Sequence, residues 1–454
     1  MENKVTKTDK ISAFICMGIL IIACFSIILM MFTRVIIVRK LGISNAFTLF
    51  LLAGNDELNK EGHIRKDIAW QDLYKFDHPD EESTTGTNSK KPDLIDEYKA
   101  VADSVKENIN PYVTSYFIGY NKEVELAKKY DEAIGWSFVS FGEYNGVSQM
   151  TDGYLVEYVE ERSADEWSGS MTAFRDFVQS NGAGFLYVQL PYKVSEYEDT
   201  DISGYMDFSN QNADRLIEQL KKADVNVYDL RECIRDEGLD NHSLFYRTDG
   251  HWKTTTGLWG AKRILEYCNE KHGLSAETQR LDIEAFDQKV YEKWFLGAQG
   301  TKVTLSRAEP EDFILLYPKY DTKFHYVVPA MGIDEEGGYG IVYDMEQVEK
   351  KDYYNKNPYA ACNYGDQPVQ QIENLNTADD KKILIIHDSF GDCLIPAIAL
   401  CEKEVHALDL RHFTGSVEEY IRQNKPDLVI VMYNAGIVCG EIDRGSHRSI
   451  ADFR

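Results

Sequence analysis

Residues 382–400 have the sequence KILIIHDSFGDCLIPAIAL, and this stretch decides the fold. An uncharged apolar run, Ile383 to Ile386, precedes a polar turn and a second apolar segment with helical spacing. Apolar runs without polar alternation are typical of strands that are covered on both faces of a parallel sheet. The stretch therefore predicts a strand, a turn that contains Ser389, and a helix.

The alternation of strands and helices continues on both sides of this stretch. Strands are predicted at residues 184–190, 225–230, 382–386, 404–410 and 427–432. Helices are predicted at residues 93–108, 160–181, 210–223, 256–271, 393–401 and 416–424. Strands that alternate with helices form βαβ units around a parallel sheet, and the active residues of such sheets lie at the carboxyl ends of the strands.

The chain is predicted to have four parts. Residues 1–40 contain an uncharged apolar run, Ile11 to Phe32, which is long enough to cross a bilayer as a helix and is not followed by a small-residue cleavage site. We expect an N-terminal transmembrane signal anchor there, and a linker or irregular region at residues 41–92. A catalytic domain is expected at residues 93–440, with an insertion at residues 275–375, and a C-terminal tail at residues 441–454.

The charge and the cysteine spacing argue against some classes of partner and of binding site. The formal net charge is -26, from 49 Lys and Arg against 75 Asp and Glu, which argues against a nucleic-acid partner. Basic residues flank both ends of the apolar run, so the positive-inside rule leaves its orientation open. The eight cysteines show no C-x-x-C or zinc-site spacing. We expect no metal and no cofactor. The sequence does not decide whether the cysteines form disulfides or stay as buried free thiols.

Ser389 is the candidate nucleophile. A serine at a strand-to-helix turn exposes its hydroxyl above the sheet, where backbone N–H groups at the start of the helix, such as that of Gly391, can stabilise an oxyanion. The alternative interpretation is structural, because Asp388 and Ser389 would then only cap the helix.

A second segment, Tyr246 to Trp252, supplies a candidate general base. Asp249 and His251 are two residues apart, so in an extended segment their side chains point the same way. The carboxylate can then orient the imidazole and stabilise its charged form, as a serine nucleophile requires. The alternative is a capped turn before the following helix, and the pair becomes informative only in combination with Ser389.

Polar residues also follow the last two predicted strands. Arg411 follows the first of them, and Tyr433 and Asn434 follow the second. A guanidinium, phenol or amide at this edge of the sheet can donate to an oxyanion or hold a substrate. Each also has a structural alternative, namely a salt bridge, a core tyrosine and a turn asparagine. His387 is interpreted as a neighbour that shapes the nucleophile turn.

These segments together resemble the DHHW and the AlgX/AlgJ-type SGNH hydrolase-like families, over most of residues 135–435. The similar segments are YRTDGHWKTTTGLWGAKRI (246–264, the D-x-H-W segment), KILIIHDSFGDCLIPAIA (382–399, the nucleophile segment), LDLRHF (408–413), PDLVIVMYN (426–434), YVQLPYK (187–193) and FLG (295–297).

The resemblance implies an SGNH-hydrolase-like three-layer α/β/α fold with a permuted triad, since Asp249 and His251 precede Ser389. It implies acetyl transfer to a cell-surface polysaccharide. His251, oriented by Asp249, would deprotonate Ser389, and the resulting acyl-enzyme would pass its acetyl group to a sugar hydroxyl. It also implies a domain outside the cytoplasmic membrane, beside a membrane-bound acyltransferase that supplies acetyl groups.

Two positions depart from the family pattern. His387 stands where glycine is usual before Asp-Ser, which is expected to alter access to the pocket, and Gly250 stands inside the D-x-H-W motif. Two other functions are alternatives. One is a carbohydrate acetylesterase that uses water as the acceptor, and the other is a non-catalytic, membrane-anchored glycan-binding or scaffold protein. The complete set of Asp249, His251 and Ser389 argues against the second.

Overall fold

A computed structural model of the chain describes residues 120–135, 143–150, 152–195, 207–377, 380–440 and 449–453, together with residue 25. The chain divides into two units, Met1–Tyr130 with Lys351–Asn355, and Asp131–Lys350 with Lys356–Arg454. Helix α1, Tyr120–Ala133, begins in the first unit. All of the other elements named below lie in the second unit.

Two expectations fall outside the described residues. These are the helix at 93–108 and, apart from residue 25, the apolar run at 11–32. Within the part of the chain that the structure describes, none of the helices combines the length and the hydropathy needed to cross a bilayer. The signal anchor and the division of the chain at residues 40, 92 and 440 stay predictions.

The second unit alternates strands and helices over most of its length. Its strands are β1 Glu143–Tyr144, β2 Val147–Gln149, β3 Leu155–Val156, β4 Gly184–Leu190, β5 Val227–Asp229, β6 Phe286–Phe295, β7 Glu311–Pro318, β8 Phe324–Val328, β9 Ile333–Gly337, β10 Val369–Asn374, β11 Lys382–His387, β12 Glu404–Asp409 and β13 Leu428–Asn434. Its α-helices are α2 Asp165–Ser180, α3 Ser209–Lys222, α4 Leu230–Asp236, α5 Thr254–His272, α6 Ala298–Val303, α7 Glu346–Glu349, α8 Ile395–Ala399 and α9 Val417–Asn424. Short 3-10 helices lie at His242–Leu244, Thr278–Leu281, Ile283–Ala285, Pro329–Met331, Tyr339–Val342, Pro358–Ala361 and Ser389–Cys393.

The central sheet has eight strands in the order β5-β4-β13-β11-β12-β10-β8-β9. Neighbouring strands from β5 to β12 are parallel. β10, β8 and β9 extend this sheet in antiparallel pairing. The expectation of a parallel sheet was therefore wrong for this part, and the sheet as a whole is mixed. The physical reason is visible between β8 and β9, where the connection is too short for the crossover that parallel strands need.

Two smaller sheets accompany the central one. β1, β2 and β3 form a three-stranded antiparallel sheet. β6 and β7 form an antiparallel pair with a register shift between Tyr291 and Phe295. β6 to β10 all come from the region that was expected to be an insertion, so that region supplies both this pair and the antiparallel extension of the central sheet.

Both faces of the central sheet are covered by apolar side chains. In β11, Ile383 and Ile385 belong to one buried cluster, while Leu384 and Ile386 belong to the other. Helices α5 and α8 contribute to the first cluster, and α2, α3 and α9 to the second. Because side chains alternate across a strand, an uninterrupted apolar run supplies both faces at once. The result is an α/β fold with helices on each side of the sheet.

Candidate active site

Ser389 lies just beyond the carboxyl end of β11, at the first residue of the 3-10 helix Ser389–Cys393. The cap of that helix is the buried Asp388, whose Oδ1 accepts a hydrogen bond from the N–H of Phe390 at 2.8 Å. Its Oδ2 accepts from the backbone N–H of Asn434 at 2.7 Å and from the side-chain amide at 2.9 Å. Since Asp388 caps the helix, the hydroxyl of Ser389 is left for another partner.

That partner is His251. Its Nε2 lies 2.6 Å from Oγ of Ser389, although the two residues are 138 positions apart in the chain. Its Nδ1 lies 2.5 Å from Oδ1 of Asp249. The segment that contains both residues precedes α5 and is closed by an isolated β-bridge between Phe245 and Trp252. The structure thus places Ser389, His251 and Asp249 in one hydrogen-bonded line.

Asp249 is buried, and hydrogen bonds reach both of its carboxylate oxygens. Oδ1 accepts the N–H of His251 at 2.9 Å, and Oδ2 accepts the N–H of Ala298 at 2.6 Å. Burial acts to raise the pKa of Asp249, but the His251 ring and these two N–H groups together lower it to about 2. The carboxylate is therefore ionised at neutral pH. It holds the proton of a neutral His251 on Nδ1, which leaves Nε2 as the acceptor.

The N–H of Ala298 belongs to the first residue of α6, and the loop before this helix lies very close to the segment that carries Asp249. Gly297 has φ +64°, and a Cβ at this position would overlap the carbonyl oxygen of Thr248. At the next residue of α6, the fully buried Lys193 donates through Nζ to Oε1 of Gln299 at 3.0 Å. Burial lowers the pKa of Lys193 to about 8. These contacts hold the start of α6 in a position from which the N–H of Ala298 can donate to the carboxylate of Asp249.

Aromatic side chains restrict the imidazole of His251. The ring of Tyr359 stacks on it with a centroid separation of 4.2 Å and an interplanar angle of 18°. The ring of Phe390 lies 5.4 Å away on a tilted plane. The indole N–H of the buried Trp252 donates to the carbonyl oxygen of Phe390 at 3.1 Å. The stack limits rotation of the imidazole, and the indole hydrogen bond ties the histidine segment to the nucleophile turn.

Two other predicted site residues lie on β13. The side-chain amide of Asn434 donates to Asp388, as described above, and its Oδ1 accepts the N–H of Gly436 at 2.8 Å. The hydroxyl of Tyr433 donates to the carbonyl oxygen of Ile450 at 2.8 Å, within the cluster on one face of the sheet. Asn434 therefore holds the nucleophile turn through Asp388. That Asn434 or Tyr433 binds an oxyanion or a substrate stays a prediction.

Arg411 follows β12 and is engaged with carboxylates. Its guanidinium binds both oxygens of Asp409 and, at 2.5 Å, Oδ1 of Asp366. Among the described residues, the cluster of potential metal ligands is the one formed by Asp366, Asp409 and His412, whose ligand atoms all lie within 4.8 Å of one another. Because Arg411 already binds both carboxylates, this cluster is an ion network with its own cation. A role for Arg411 toward substrate stays a prediction.

Backbone N–H groups of the nucleophile turn supply the candidate oxyanion donors. The N–H of Gly391 donates to the carbonyl oxygen of Asp388 at 2.8 Å. The N–H of Ser389 has no hydrogen-bond partner in the described part of the chain. It belongs to the candidate nucleophile and begins a helical turn, so it is the better placed candidate donor for charge that would develop on a carbonyl oxygen at Oγ.

Sequence reasoning missed two residues of this site. The segment FLG (295–297) directly precedes Ala298 and was one of the similar segments, but nothing in the sequence indicates that the next N–H binds Asp249. Tyr359 lies in the region expected to be an insertion, and no local pattern distinguishes it among 28 tyrosines. Both contacts arise from short helices, α6 and the 3-10 helix Pro358–Ala361, that approach the site in space and not from spacing along the chain.

The chain is similar to known proteins in part of its sequence and in its fold. Residues 151–310 match the family model described as "SGNH hydrolase-like domain, acetyltransferase AlgX", a range that includes Asp249 and His251 and ends before Ser389. No curated protein matches the chain significantly.

Several solved structures share the fold. PatB1 of Bacillus cereus with a sulfonyl adduct is 20% identical, with 68% of this chain and 98% of that chain covered and a TM-score of 0.54. A second PatB1 structure is 18% identical, with 68% and 99% covered and a TM-score of 0.53. A DHHW family protein from Eubacterium siraeum is 17% identical, with 66% and 94% covered and a TM-score of 0.52. The resemblance to the DHHW and AlgX-type SGNH hydrolase-like families is thereby confirmed.

Proposed function

We propose that this protein transfers acetyl groups to hydroxyl groups of a cell-surface polysaccharide through an acyl-enzyme on Ser389. The observation that carries the proposal is the hydrogen-bonded line from Oγ of Ser389 through His251 to Asp249. A serine hydroxyl is a weak nucleophile unless a neighbouring base removes its proton, and this line supplies an oriented base. The description of the matching family model as an acetyltransferase supports acetyl as the transferred group.

In the first half of the reaction, Nε2 of His251 takes the proton of Ser389 while Oγ attacks the carbonyl carbon of the acetyl donor. The carbonyl oxygen becomes an oxyanion, to which the N–H of Ser389 donates. The tetrahedral intermediate then collapses, the bond to the donor's leaving group breaks, and His251 returns the proton to that group. The product is an acetyl ester on Ser389.

In the second half, the same groups act in reverse. Nε2 of His251 takes a proton from a sugar hydroxyl, and the sugar oxygen attacks the acetyl ester. Collapse of the second intermediate releases the acetylated sugar, and Ser389 regains its proton from His251. Asp249 stays ionised throughout, because its lowered pKa lies far below the working pH, and it stabilises the imidazolium that forms in each half.

The acceptor distinguishes transfer from hydrolysis. The same three residues would support an acetylesterase if water replaced the sugar hydroxyl in the second half. We favour transfer because the matching family model is described as an acetyltransferase. The residues that would bind the acceptor sugar are part of this proposal. The sequence indicated Arg411, Tyr433 and Asn434 as candidates to bind substrate or oxyanion, and Gly391 as a candidate oxyanion donor.

We further propose that the apolar run at 11–32 anchors the protein in the cytoplasmic membrane with the catalytic domain outside. A membrane-bound acyltransferase would then deliver acetyl groups to Ser389. The uncharged composition of the run supports the anchor. Alkaline extraction of membranes from cells that make the full chain tests it, and release of the protein without detergent would overturn the anchor.

The test of the enzymatic proposal compares the wild-type protein with Ser389→Ala on a chromogenic acetyl ester. We expect release of the chromophore by the wild type and none above background by Ser389→Ala. Ser180→Ala, at the exposed C-terminal end of α2, is the matched control and should behave as wild type. Equal release by wild type and Ser389→Ala would overturn the proposal.

Two further measurements sharpen this test. A sulfonyl fluoride, chosen because PatB1 is known with a sulfonyl adduct, should add to the wild-type protein at Ser389 and not to Ser389→Ala, as peptide mapping by mass spectrometry would show. Addition of an unacetylated oligosaccharide to the ester assay should produce a sugar heavier by one acetyl group. Ester cleavage without any such product would favour the esterase.

A further inference from the structure

We propose that His387 is a positioning residue that orients the backbone N–H of Ser389 toward the oxyanion. The inference rests on the proposed acyl-transfer function and adds a residue to it. His387 is the last residue of β11, directly before the nucleophile turn, and its side chain is buried. It does not touch the reacting atoms, so its effect must act through the backbone.

The relevant contact is between the imidazole and a backbone carbonyl. Nδ1 of His387 lies 2.7 Å from the carbonyl oxygen of Asp388. A carbonyl oxygen can only accept, so Nδ1 carries the hydrogen and donates it. The N–H of Gly391 donates to the same oxygen at 2.8 Å. Two donors, one from a side chain and one from the helical turn, therefore fix the position of this single oxygen.

That oxygen shares a peptide plane with the N–H of Ser389. The described part of the chain contains no cis peptide bond, and in a trans peptide the C=O and the N–H point in opposite directions. Fixing the carbonyl of Asp388 on the His387 side therefore fixes the direction of the Ser389 N–H on the other side. This N–H has no hydrogen-bond partner among the described residues, so it is free to donate to an oxyanion.

The surroundings of the imidazole indicate a role beyond filling space. A Cβ at Gly391 would lie 2.6 Å from Nδ1 of His387, so the turn rests directly on the ring. Nε2 of the same ring is buried and has no hydrogen-bond partner in the described structure. A buried polar atom without a partner costs stability, and an apolar side chain would fill the position without that cost. The hydrogen bond from Nδ1 is what the histidine adds.

The experiment uses two amides that imitate different nitrogens of the ring. The side-chain nitrogen of Asn stands near the place of Nδ1, and that of Gln near the place of Nε2. We expect His387→Ala and His387→Gln to lower kcat for Ser389-dependent acetyl release about 10-fold to 100-fold, below the loss of a whole oxyanion donor, with KM nearly unchanged. His387→Asn should retain most of the activity, because it can still donate to Asp388.

His325→Asn is the matched control, because it removes a histidine from the exposed edge pair β8 and β9, away from the nucleophile turn. Its kcat should equal that of the wild type. If Ala, Gln and Asn at position 387 all keep the wild-type kcat, or all lose it equally, the proposal is overturned. A kcat loss that merely parallels a lower thermal midpoint in every variant, Asn included, would also overturn it.

One readout separates this inference from the proposed function. Nitrogen NMR of the His387 imidazole should show a hydrogen on Nδ1, and this measurement requires no activity. A proton found only on Nε2 would overturn the role of His387 even in an active enzyme. A wild type without Ser389-dependent release would instead overturn the function itself, whatever the tautomer.

Discussion

The imidazole of His251 is held by three kinds of contact, each of which restricts a different freedom. Asp249 determines which nitrogen of the ring carries the proton. Ser389 binds the other nitrogen, Nε2, and Tyr359 limits rotation of the ring. A base whose proton and orientation are set in advance needs little reorganisation when the reaction begins. The contribution of each residue can therefore be measured separately.

Asp249 gives the free energy of unfolding a defined dependence on pH. Its pKa is about 2 in the folded protein against an ordinary value of 3.8. A lowered pKa stabilises the folded state above the ordinary value, and this stabilisation is lost as pH falls toward 2. Between pH 5 and pH 2, we expect the free energy of unfolding of the wild type to fall by about 2 kcal/mol more than that of Asp249→Asn.

Urea unfolding of both proteins at a series of pH values measures this difference. The exposed pair Asp334 and His325 offers a matched control, because it is also an Asp–His contact, at 2.6 Å, but lies on the surface. Asp334→Asn should follow the wild-type curve closely. Parallel curves for the wild type and Asp249→Asn would contradict the lowered pKa of Asp249.

Tyr359 should affect turnover through its ring and not through its hydroxyl. Tyr359→Leu removes the face on which the imidazolium of His251 rests, and we expect kcat for acetyl release to fall about tenfold. Tyr359→Phe keeps the stack and removes only the contact between the hydroxyl and Sγ of Cys393, at 3.3 Å, so its loss should be much smaller. Steady-state kinetics on the chromogenic ester measure both, and equal losses would show that stacking is not the reason.

At the scale of elements, the site depends on how closely two loops approach each other. The loop before α6 brings the N–H of Ala298 to Asp249, and Gly297 makes this approach possible. Its φ of +64° favours glycine, and a Cβ would lie 2.6 Å from that of Asp249. The position therefore needs glycine both for its backbone conformation and for the space.

Gly297→Ala and Gly332→Ala compare a crowded glycine of positive φ with an uncrowded one. Gly332 has φ +68°, and nothing lies within 4 Å of the place that an alanine methyl group would take, so alanine there should cost about 1–2 kcal/mol from backbone strain alone. Gly297→Ala should cost about 3–5 kcal/mol, because its ψ of 166° lies in a backbone region that is nearly exclusive to glycine and because the loop must also move. Thermal or urea unfolding measures both values, and acetyl release should fall only in Gly297→Ala. Similar free energies of unfolding for the two variants would mean that the Gly297 loop can move away from Thr248 and Asp249 without loss of stability.

The sequence predicted some elements more accurately than others. β4 was predicted with its observed bounds, because it is a largely apolar segment that is followed by a proline. β5 was predicted too long at both ends, and its carboxyl end is set by Asp229, which caps α4 by accepting the N–H of Arg231. The predicted helix at 393–401 is confined to α8, preceded by a 3-10 turn, with Pro396 in its first turn.

The antiparallel extension and part of the site were beyond the reach of local patterns. β10 alternates between buried and half-buried residues, a pattern that fits any one-sided strand and names no neighbour in the sheet. The segments that carry Ser389 and His251 could be predicted, because each joins polar residues to a recognisable strand or turn. The contacts of Ala298 and Tyr359 could not be predicted, because they depend on how segments far apart in the sequence approach each other in space.

At the scale of the whole molecule, the cysteines settle one alternative that the sequence left open. The six in the described residues are all free thiols, and five of them are buried; they are Cys233, Cys268, Cys362, Cys393, Cys401 and Cys439. Burial raises the pKa of Cys268, Cys393 and Cys401 to about 12, so these thiols stay protonated and unreactive. The described part of the fold is therefore held without disulfides.

A reductant should accordingly leave the thermal stability unchanged. A disulfide of ordinary strength would lower the midpoint by roughly 5–10 °C when reduced, whereas we expect no measurable shift. Alkylation after denaturation without reductant, followed by peptide mapping, should find all six of these cysteines modified. A peptide in which any of them is linked to another cysteine would contradict this expectation.

The place of β13 in the sheet has a consequence for the timing of synthesis. Among the strands that the structure describes, β13 is made last, yet it lies between β4 and β11 and pairs with both. Gln189 and Tyr433, which meet across β4 and β13, are 244 positions apart. A nascent chain that ends before residue 428 has no strand to join β4 to β11, and it lacks Asn434 to hold the turn at Ser389. The ribosome therefore completes the candidate site late, and a chain that is terminated before residue 428 should lack Ser389-dependent acetyl release.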